Sequence, residues 1–429
     1  MDAEIRGYCD LIRERIYGDY TGMFREAGGF LEHPFITPGS ASYNDVLWDW
    51  DSWLSNVALR QILLEHGTDD AREDAVAYER GCILNFLRFG AGDGWIPICI
   101  GRDEGGLVSE RPANIYKENM HKPCLAQHAA FLVRLADGDA EWLRERFLSL
   151  QCFLNNYRNH HRTPFGLYYW QTDLAIGVDN DPCIFYRPPG SCGSIYLNCL
   201  MYRELQAMAY LCDRLNLDAV ARHYRDDAAD LRAAVLAHCW DERDGFFYNV
   251  DLNLLPVKHE PGLHAGFPRH YDCLIMRIGV WSGFLALWAG IAEPDMAERV
   301  VLEHYRNPDT FNAAYGVRTL SRLEKMYNLR GSGNPSSWQG PVWGISNYMT
   351  FRGLVNYGFE DEARELAEKT IRLFGRDFQR FGALHEYYQP DNGEPILNRG
   401  FQNWNYLVLN MIAWYEGRET VVEHQGEEA

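Results

Sequence analysis

Hydrophobic side chains recur every three or four residues through most of the 429-residue chain, as one face of an α-helix requires. This pattern predicts twelve helices, and clusters of glycine and proline mark the loops between them. The helices are expected over about residues 4–17, 51–66, 69–89, 123–136, 140–156, 193–215, 219–239, 280–290, 294–305, 340–357, 360–374 and 402–415. The longest predicted loops are 160–192, 241–278, 306–337 and 376–400. Residues 245–251, inside one of these loops, are rich in aromatic side chains and predict a short β-ribbon.

The order of these elements predicts one all-α domain over residues 1–429. No low-complexity linker and no break in composition divides the chain. Twelve successive helices fit a closed ring in which six inner helices pack against six outer ones, with long loops and small β-ribbons at one mouth. Residues 280–290 are apolar on nearly every side, which is typical of an inner helix. A helical-repeat solenoid is the alternative, but the chain has no repeat of fixed period.

Composition excludes several classes of function. The formal net charge of −19 repels phosphate backbones and anionic lipids, so neither nucleic acid nor a membrane is an expected partner. The 11 cysteines form no CxxC pair or metal-ligand cluster, so we expect buried thiols in a reducing compartment and no metal or cofactor. The acidic N-terminus lacks a signal-peptide profile, and the longest apolar run, 280–292, is too short to cross a bilayer. A cytoplasmic protein is therefore expected, and a homo-oligomer is compatible with the sequence.

Aromatic side chains, 14% of the chain, indicate the kind of ligand. Large cores use many rings, but here many rings fall in polar loops that contain glycine and proline. Rings beside carboxylates and amides suit sugars, whose C–H faces stack while their hydroxyls hydrogen-bond. A small carbohydrate is therefore the expected partner.

A carboxylate-rich turn at residues 175–182 follows the aromatic run 168–170. If the surrounding rings partly desolvate Asp179, its pKa rises and it can act as a general acid. The alternative is an ordinary turn with solvated carboxylates. Asp173 is a second-choice acid, and Asp181, which precedes a proline, is expected to be structural.

Glycoside hydrolysis requires two carboxylates on opposite sides of the scissile bond. Acids, amides and rings share five loop stretches: 48–51, 177–181, 337–343, 384–388 and 399–404. Asp179 and Glu386 are the best pair, because each lies near aromatic residues in a loop that precedes a candidate inner helix. His385 is expected to be a hydrogen-bonded loop histidine rather than a proton carrier.

Five motifs together resemble glycoside hydrolase family 63, and within it the small bacterial glucosylglycerate and mannosylglycerate hydrolases. The motifs are Pro-Phe-Ile-Thr-Pro-Gly at 34–39, Leu-Trp-Asp-Trp-Asp-Ser at 47–52, Gly-Val-Asp-Asn-Asp-Pro at 177–182, Trp-Gln-Gly-Pro-Val-Trp at 338–343 and Glu-Tyr-Tyr-Gln-Pro-Asp-Asn-Gly at 386–393. The resemblance runs almost end to end. It implies an (α/α)6 barrel that hydrolyses α-linked glucosides or mannosides with inversion of configuration.

The resemblance also implies roles for individual residues. Asp179 becomes the general acid, and Glu386 becomes the base that deprotonates water. The substrate-binding set that it implies is Trp48, Trp50, Asp51, Trp338, Gly340, Trp343 and Gln402, and Tyr43 and Lys122 are further substrate-binding candidates. In this set the rings and the Gly340 backbone line the sugar subsite, Asp51 meets hydroxyls, and Gln402 meets a glycerate group.

Several simpler interpretations compete with these roles. The tryptophans at 48, 50 and 53 could form a plain core seam, and Asp51 could be only a helix N-cap. Two positions depart from the family pattern: Gln339 replaces an arginine, and Lys122 adds a cation that suits either an anionic aglycone or the protein surface. For Arg187 and Arg318, surface or salt-bridge contacts are expected, and contact with an anionic aglycone is the alternative. Gly-Ser-Gly at 331–333 does not fit a nucleotide-binding loop.

The implied inverting mechanism predicts carboxyl groups roughly 6.5–9.5 Å apart, with Asp179 protonated and Glu386 ionised near neutral pH. It also predicts that the β-anomer is the first product released from an α-glycoside. Three other functions stay open at this point: a trehalase-like α-glucosidase of neutral di- or oligosaccharides, a sugar epimerase or isomerase on the same fold, and a non-catalytic sugar-binding protein.

Overall fold

The computed structural model describes residues 2–102, 112–254, 270–330 and 336–424. Twelve α-helices lie within these residues, as the hydrophobic pattern predicts. They are α1 (Ala3–Asp19), α2 (Asp49–His66), α3 (Asp69–Leu87), α4 (Leu125–Leu135), α5 (Phe147–His160), α6 (Ile195–Arg214), α7 (Asp218–His238), α8 (Leu285–Trp288), α9 (Pro294–Arg299), α10 (Gly344–Asn356), α11 (Glu360–Phe381) and α12 (Val408–Tyr415). Tighter or wider turns replace α-helix next to three of them: 3-10 turns at Trp281–Phe284 and Asn403–Leu407, and a π-helix at Val300–Tyr305.

Several helix boundaries differ from the sequence prediction, and the differences at α2 and α11 have identifiable reasons. Helix α2 begins at Asp49 and not at Asp51, so the prediction of Asp51 as an N-cap is wrong; Trp48 occupies that position in extended conformation. Helix α11 continues to Phe381, seven residues beyond the predicted end. It stops where Gly382 adopts φ +69, a left-handed conformation that glycine reaches at little cost.

The even-numbered helices contact one another in cyclic order. Helices α2, α4, α6, α8, α10 and α12 touch successively, and α12 also contacts α2. Their side chains are buried on nearly every face, as in α10, where the buried residues run without a gap from Gly344 to Leu354. By contrast, α1 buries a single stripe at Ile5, Cys9, Ile12 and Ile16. The helices therefore form an inner and an outer layer.

Short antiparallel ribbons precede several of the even-numbered helices. The strands are β1 (Phe24–Arg25), β2 (Phe35–Ile36), β3 (Val46–Trp48), β4 (Cys99–Gly101), β5 (Tyr169–Trp170), β6 (Cys192–Gly193), β7 (Trp240–Asp241), β8 (Phe246–Phe247), β9 (Val250–Asp251), β10 (Leu274–Ile275), β11 (Asn312–Ala313), β12 (Gly316–Val317), β13 (Val342–Trp343) and β14 (Tyr387–Tyr388). Strand β3 leads directly into α2, and β13 leads directly into α10. Strands β8 and β9 confirm the strand structure predicted within 245–251, but they lie in different sheets: β8 pairs with β7, and β9 pairs with β6 and β10.

Most cysteine side chains are buried, as the sequence predicts. Nine of the 11 cysteines are buried, and Cys152 and Cys273 are half-buried. Burial raises the pKa of most of these thiols, as it does for Cys82, to about 12. Among the described residues, no helix has both the length and the apolar composition needed to cross a bilayer.

Candidate active site

One cavity of about 260 Å³ collects side chains from loops throughout the chain. Its walls are Tyr43, Trp48, Trp50, Asp51, Ile98, Lys122, Leu174, Ala175, Gly177, Asp179, Ser336, Trp338, Trp343, Glu386, Phe401 and Trp404. Nine of the eleven residues singled out in the sequence are among them. The two carboxylates predicted to act together therefore line the same space.

Two ribbons bring the tryptophan motifs to this cavity. Trp48 is the last residue of β3, which pairs with β4 through Leu47 and Ile100. Trp343 is the last residue of β13 and pairs with Tyr387 of β14, so Glu386 enters the cavity wall beside it. Strands β3 and β13 lead straight into helices α2 and α10 of the inner layer, and β4 and β14 pair with them. The aromatic and acidic residues on these strands therefore meet at the ends of the inner helices.

The turn that carries Asp179 packs against Trp50 and Lys122. Ala175, Gly177 and Asn180 all have positive φ, at +71, +80 and +56. A Cβ atom on Gly177 would lie 2.6 Å from Lys122 Cε and 3.0 Å from the Trp50 ring, so only glycine fits there. Left-handed non-glycine residues are uncommon and cluster at functional sites, where surrounding structure holds them in place.

Glu386 is buried, with 3% of its surface exposed, and has two hydrogen-bond donors. The Tyr43 hydroxyl donates to Oε1 at 2.7 Å, and the Asn398 amide donates to Oε2. Burial is the largest influence and raises the pKa of Glu386, while the hydrogen bonds from Tyr43 and Asn398 lower it and the nearby Asp179 carboxylate raises it. The resulting pKa is about 7. A carboxyl group with this pKa can exchange a proton near neutral pH.

Stacked rings form one wall. Trp338 and Trp343 lie 4.3 Å apart at an interplanar angle of 14°, and Trp343 lies 4.7 Å from Tyr387 at 16°. Trp50 meets Trp404 edge-on at 5.2 Å. Trp48 and Trp50 line the cavity, whereas the interpretation as core seam applies to Trp53, which is fully buried against Trp288.

Asp51 contributes a third carboxyl group to the cavity. Burial raises the pKa of Asp51 to about 7; Asp49 raises it further, while Lys122 and the hydrogen bond from Asn403 lower it. The Asn403 amide donates to Asp51 Oδ1, and Asn403 itself is held by the Ser55 hydroxyl at 3.0 Å. A carboxyl group in this state can either donate to or accept from a sugar hydroxyl.

Lys122 is a buried, paired cation. Only 2% of it is exposed, so the interpretation as a surface lysine is wrong. Its Nζ lies 2.8 and 2.9 Å from the two oxygens of Asp49, and 5.1 Å from the centre of the Trp50 ring. The charge that it brings to the cavity wall is therefore neutralised by Asp49.

Gly340 and Gln402 do not line the cavity, in contrast to the sequence prediction. The Gly340 N–H donates to Thr319 Oγ1 at 3.1 Å, and at φ +138 its α-carbon faces the Tyr327 ring. The Gln402 amide donates to Asp19 Oδ2 at 2.6 Å and lines a separate depression of about 650 Å³. Their polar groups are satisfied by partners outside the cavity.

Other sequence candidates have structural partners. His385 Nδ1 lies 2.9 Å from Asp377 Oδ2, Arg187 pairs with Asp251 at 2.8 Å, and Arg318 pairs with Asp391 at 2.9 Å. Asp181 accepts from the Cys183 N–H at 2.8 Å. Asp173 accepts from the Asn180 N–H at 3.1 Å and is absent from the cavity wall. Residues 331–333 lie outside the described residues.

Sequence reasoning missed Asn398, Asn403 and Trp404. The stretch 399–404 was selected from the sequence, but Gln402 was the residue chosen in it. Its neighbours Asn403 and Trp404 are the ones that contact the cavity. Asn398 and Asn403 have positive φ, at +47 and +42, a conformation that asparagine tolerates better than most residues. The sequence feature that could have identified the two asparagines is the presence of side-chain amides in a loop with aromatic residues.

Comparisons with known proteins identify relatives of this chain. Residues 43–405 match the family model for the mannosylglycerate hydrolase MGH1-like glycoside hydrolase domain. The chain is 23% identical over 452 residues to the trehalase of Oryctolagus cuniculus, covering 91% of this chain and 68% of that protein. It is 29% identical over 235 residues to the mannosylglycerate hydrolase MGH1 of Selaginella moellendorffii, covering 54% of this chain and 40% of the plant protein. The chain spans between 27% and 68% of the length of the first curated relatives that it matches.

A solved structure shares the fold. The GH63 mannosylglycerate hydrolase from Thermus thermophilus, in complex with Tris and D-glycerate, superposes with a TM-score of 0.66 at 19% identity. The match covers 95% of this chain and all of that one, 100%. The family indicated by the five sequence motifs is confirmed by the family model that matches residues 43–405.

Proposed function

The chain belongs to the mannosylglycerate hydrolase MGH1-like glycoside hydrolase family, and from this premise we propose that it hydrolyses a small α-glucoside or α-mannoside with inversion. The observation that carries the proposal is the meeting of Asp179 and Glu386 in the wall of one ring-lined cavity. Family 63 and the trehalases supply the reaction class, and the site supplies a pair of carboxyl groups suited to it.

We propose that the helices close into an (α/α)6 barrel and that residues 1–429 form a single catalytic domain. The cyclic contacts of the even-numbered helices, from α2 round to α12 and back to α2, support this arrangement. So does the position of the cavity, since its walls come from the first turn of α2 and from loops that precede other even-numbered helices. In such a ring, loops distant in sequence converge on one mouth.

In the proposed reaction, Asp179 protonates the glycosidic oxygen while water attacks the anomeric carbon from the opposite face. Glu386 takes the proton released by the water. The bond between the anomeric carbon and the leaving oxygen breaks as the new carbon–oxygen bond forms, so the sugar leaves with inverted configuration. The water must fit between the acid and the base, which is why roughly 6.5–9.5 Å is expected between their carboxyl groups.

The cavity suits one sugar unit with a short aglycone. Its volume of about 260 Å³ lies below the roughly 300–1,000 Å³ of pockets for drug-sized ligands. Trp48, Trp50 and the stacked Trp338 and Trp343 offer faces to the sugar ring, and Asp51 meets its hydroxyl groups. A cavity of this volume favours a disaccharide-sized substrate over a polymer.

A trehalase-like hydrolase of neutral disaccharides is the second candidate. The observation that favours it is the Lys122–Asp49 pair, because a neutralised lysine attracts an anionic aglycone less than an unpaired one would. Hydrolysis of glucosylglycerate and mannosylglycerate, compared with trehalose and kojibiose, distinguishes the candidates. An epimerase would instead convert free glucose or mannose and would depend on a histidine; His385 is bound to Asp377.

Substitution of the two carboxyl groups tests the proposed function. We expect Asp179→Asn and Glu386→Gln each to lower kcat at least ~100-fold on the substrate that the panel identifies, because general acid and base catalysis are lost. Asp70→Asn, an exposed position in the first turn of α3, is the matched control and should keep full activity. NMR of the fresh product should detect the β-anomer first; initial α-anomer, or full activity in either variant, would contradict the mechanism.

A further inference from the structure

Asn180, the residue after the proposed acid, has a hydrogen bond at each of its four polar groups. Its N–H donates to Asp173 Oδ2 at 3.1 Å, and its carbonyl oxygen accepts from Gln339 Nε2 at 3.1 Å. Its side-chain Nδ2 donates to the Ser336 carbonyl at 2.9 Å, and its Oδ1 accepts from the Trp338 N–H at 3.2 Å. Only 1% of the residue is exposed, so water does not compete for these bonds.

Three of the four bonds join the acid turn to one distant segment. Residues 336–339 lie more than 150 positions further along the chain. The same segment carries Trp338, whose ring stacks on Trp343 in the cavity wall. Asn180 therefore connects the turn of the proposed acid to the ring wall against which the sugar would lie.

The backbone of Asn180 adds a second reason for its identity. It adopts φ +56, where a β-branched or bulky residue is strained and asparagine is tolerated. Glycine also adopts this conformation without strain but would lose both side-chain bonds. The two contributions, backbone conformation and side-chain bonding, can thus be separated by substitution.

We propose that Asn180 is a positioning residue for general acid catalysis: it holds Asp179 in register with the Trp338 wall, so that the acid reaches the leaving oxygen of the bound sugar. This inference rests on the proposed function of Asp179. A shift of about 1 Å in a catalytic group can cost ~100-fold in rate. Loosening the bonds to 336–339 should therefore impair proton delivery before it impairs folding.

The test compares substrates that need the acid with substrates that do not. Fluoride leaves without protonation, so hydrolysis of α-glucosyl and α-mannosyl fluoride depends on the base and not on the acid. Asn180→Gly is expected to lower kcat on the O-glycoside ~100-fold while kcat on the matching fluoride changes no more than about threefold. The pH profile for the O-glycoside should lose its alkaline limb, which reports the acid. Equal losses on both substrates, or no loss on either, would overturn the inference.

Three further variants keep the result interpretable. Asn216→Gly changes an exposed asparagine at φ +61 outside the cavity and should leave both rates unchanged. Gln339→Met removes only the donor to the Asn180 carbonyl, and it should lower kcat on the O-glycoside roughly tenfold while sparing the fluoride. This variant provides the test if Asn180→Gly fails to fold. Asp179→Asn should leave kcat on the fluoride unchanged. If it also leaves kcat on the O-glycoside unchanged, the proposed function fails. If Asp179→Asn is selective and Gln339→Met lowers both rates equally, the inference alone fails.

Discussion

The carboxylate of Glu386 is subject to opposing influences that together set its protonation near neutral pH. Burial raises its pKa, and the donors Tyr43 and Asn398 lower it, with a value of about 7 as the result. Both donors also fix the direction of its two oxygens. A base poised near the working pH combines a useful ionised fraction with useful basicity. The two donors therefore serve the proposed reaction by orienting the base as well as by tuning it.

Removal of one donor should shift the pH dependence of activity in a predictable direction. In Tyr43→Phe the hydrogen bond that lowers the pKa of Glu386 is lost, so the base ionises only at higher pH. We expect the acidic limb of the kcat/KM profile to move to higher pH and kcat at pH 7 to fall roughly tenfold. Tyr17→Phe is the matched control, because Tyr17 donates to Glu65 and does not line the cavity. An unshifted acidic limb in Tyr43→Phe would exclude this role.

At the scale of elements, the last described segment of the chain stabilises the inner layer. After α12 the chain returns among the even-numbered helices, where the Asn410 amide donates to the Val421 carbonyl at 2.8 Å. Glu423 accepts from Trp288 Nε1 at 2.8 Å and from the Tyr348 hydroxyl at 2.6 Å. Burial would raise the pKa of Glu423, but the Arg352 guanidinium and these donors outweigh it, and the pKa is lowered. One buried carboxylate thus joins α8, α10 and the end of the chain.

Loss of this carboxylate should destabilise the fold strongly. Glu423→Ala leaves the Arg352 charge and two buried donors without their acceptor, and we expect a loss of about 3 kcal/mol in the free energy of unfolding. The midpoint of urea unfolding measures the effect. Glu419→Ala, an exposed position in the same segment, should change the midpoint little. A loss below about 1 kcal/mol in Glu423→Ala would mean that the segment contributes little to stability.

At the scale of the whole molecule, burial has shifted two sets of titratable groups in opposite directions. Burial is the main cause in both sets. It raises the pKa of the carboxyl groups of Asp181 to about 6, of Asp51, Asp173 and Glu386 to about 7, and of Glu204 to about 8. It lowers the pKa of His128 to about 3, and of His121 and His161 to about 4. Because these carboxyl and histidine pKa values differ between the folded and the unfolded chain, the stability of the fold depends on pH.

The sign of each linkage predicts where thermal stability falls. The folded state keeps the carboxyl protons after an unfolded chain has released them near pH 4, so this stabilisation is lost as pH rises through 6 to 8. The histidine pKa values are lowered in the folded state, so the histidines oppose folding only below their unfolded value of about 6.5. Above about pH 6.5 only the carboxyl contribution changes, and the net charge of −19 acts in the same direction. We expect Tm, followed by circular dichroism at constant ionic strength, to fall between pH 6.5 and 8; a rise over that interval would contradict these shifts.

Much of this molecule could be predicted from the order of its residues. The apolar spacing located twelve helices, because that spacing is a local property that a helix converts directly into a buried face. The loops with Asp179, Glu386 and the tryptophans could be selected because carboxylates beside aromatic rings suit both acid–base chemistry and sugar binding. Their common cavity followed from the expected ring of helices, in which such loops converge.

Only the tertiary structure decided which polar groups pair. Lys122 could be a surface residue or a ligand for an anion until Asp49, 73 positions away, was found bonded to it. Gln402 was chosen for its amide, yet its amide bonds to Asp19, while Asn398 and Asn403 reach the carboxyl groups of the cavity. Helical periodicity depends on neighbours three and four residues apart, and can be read along the chain. A hydrogen bond between residues hundreds of positions apart depends on the path of the whole backbone, so it is decided only when the helices pack.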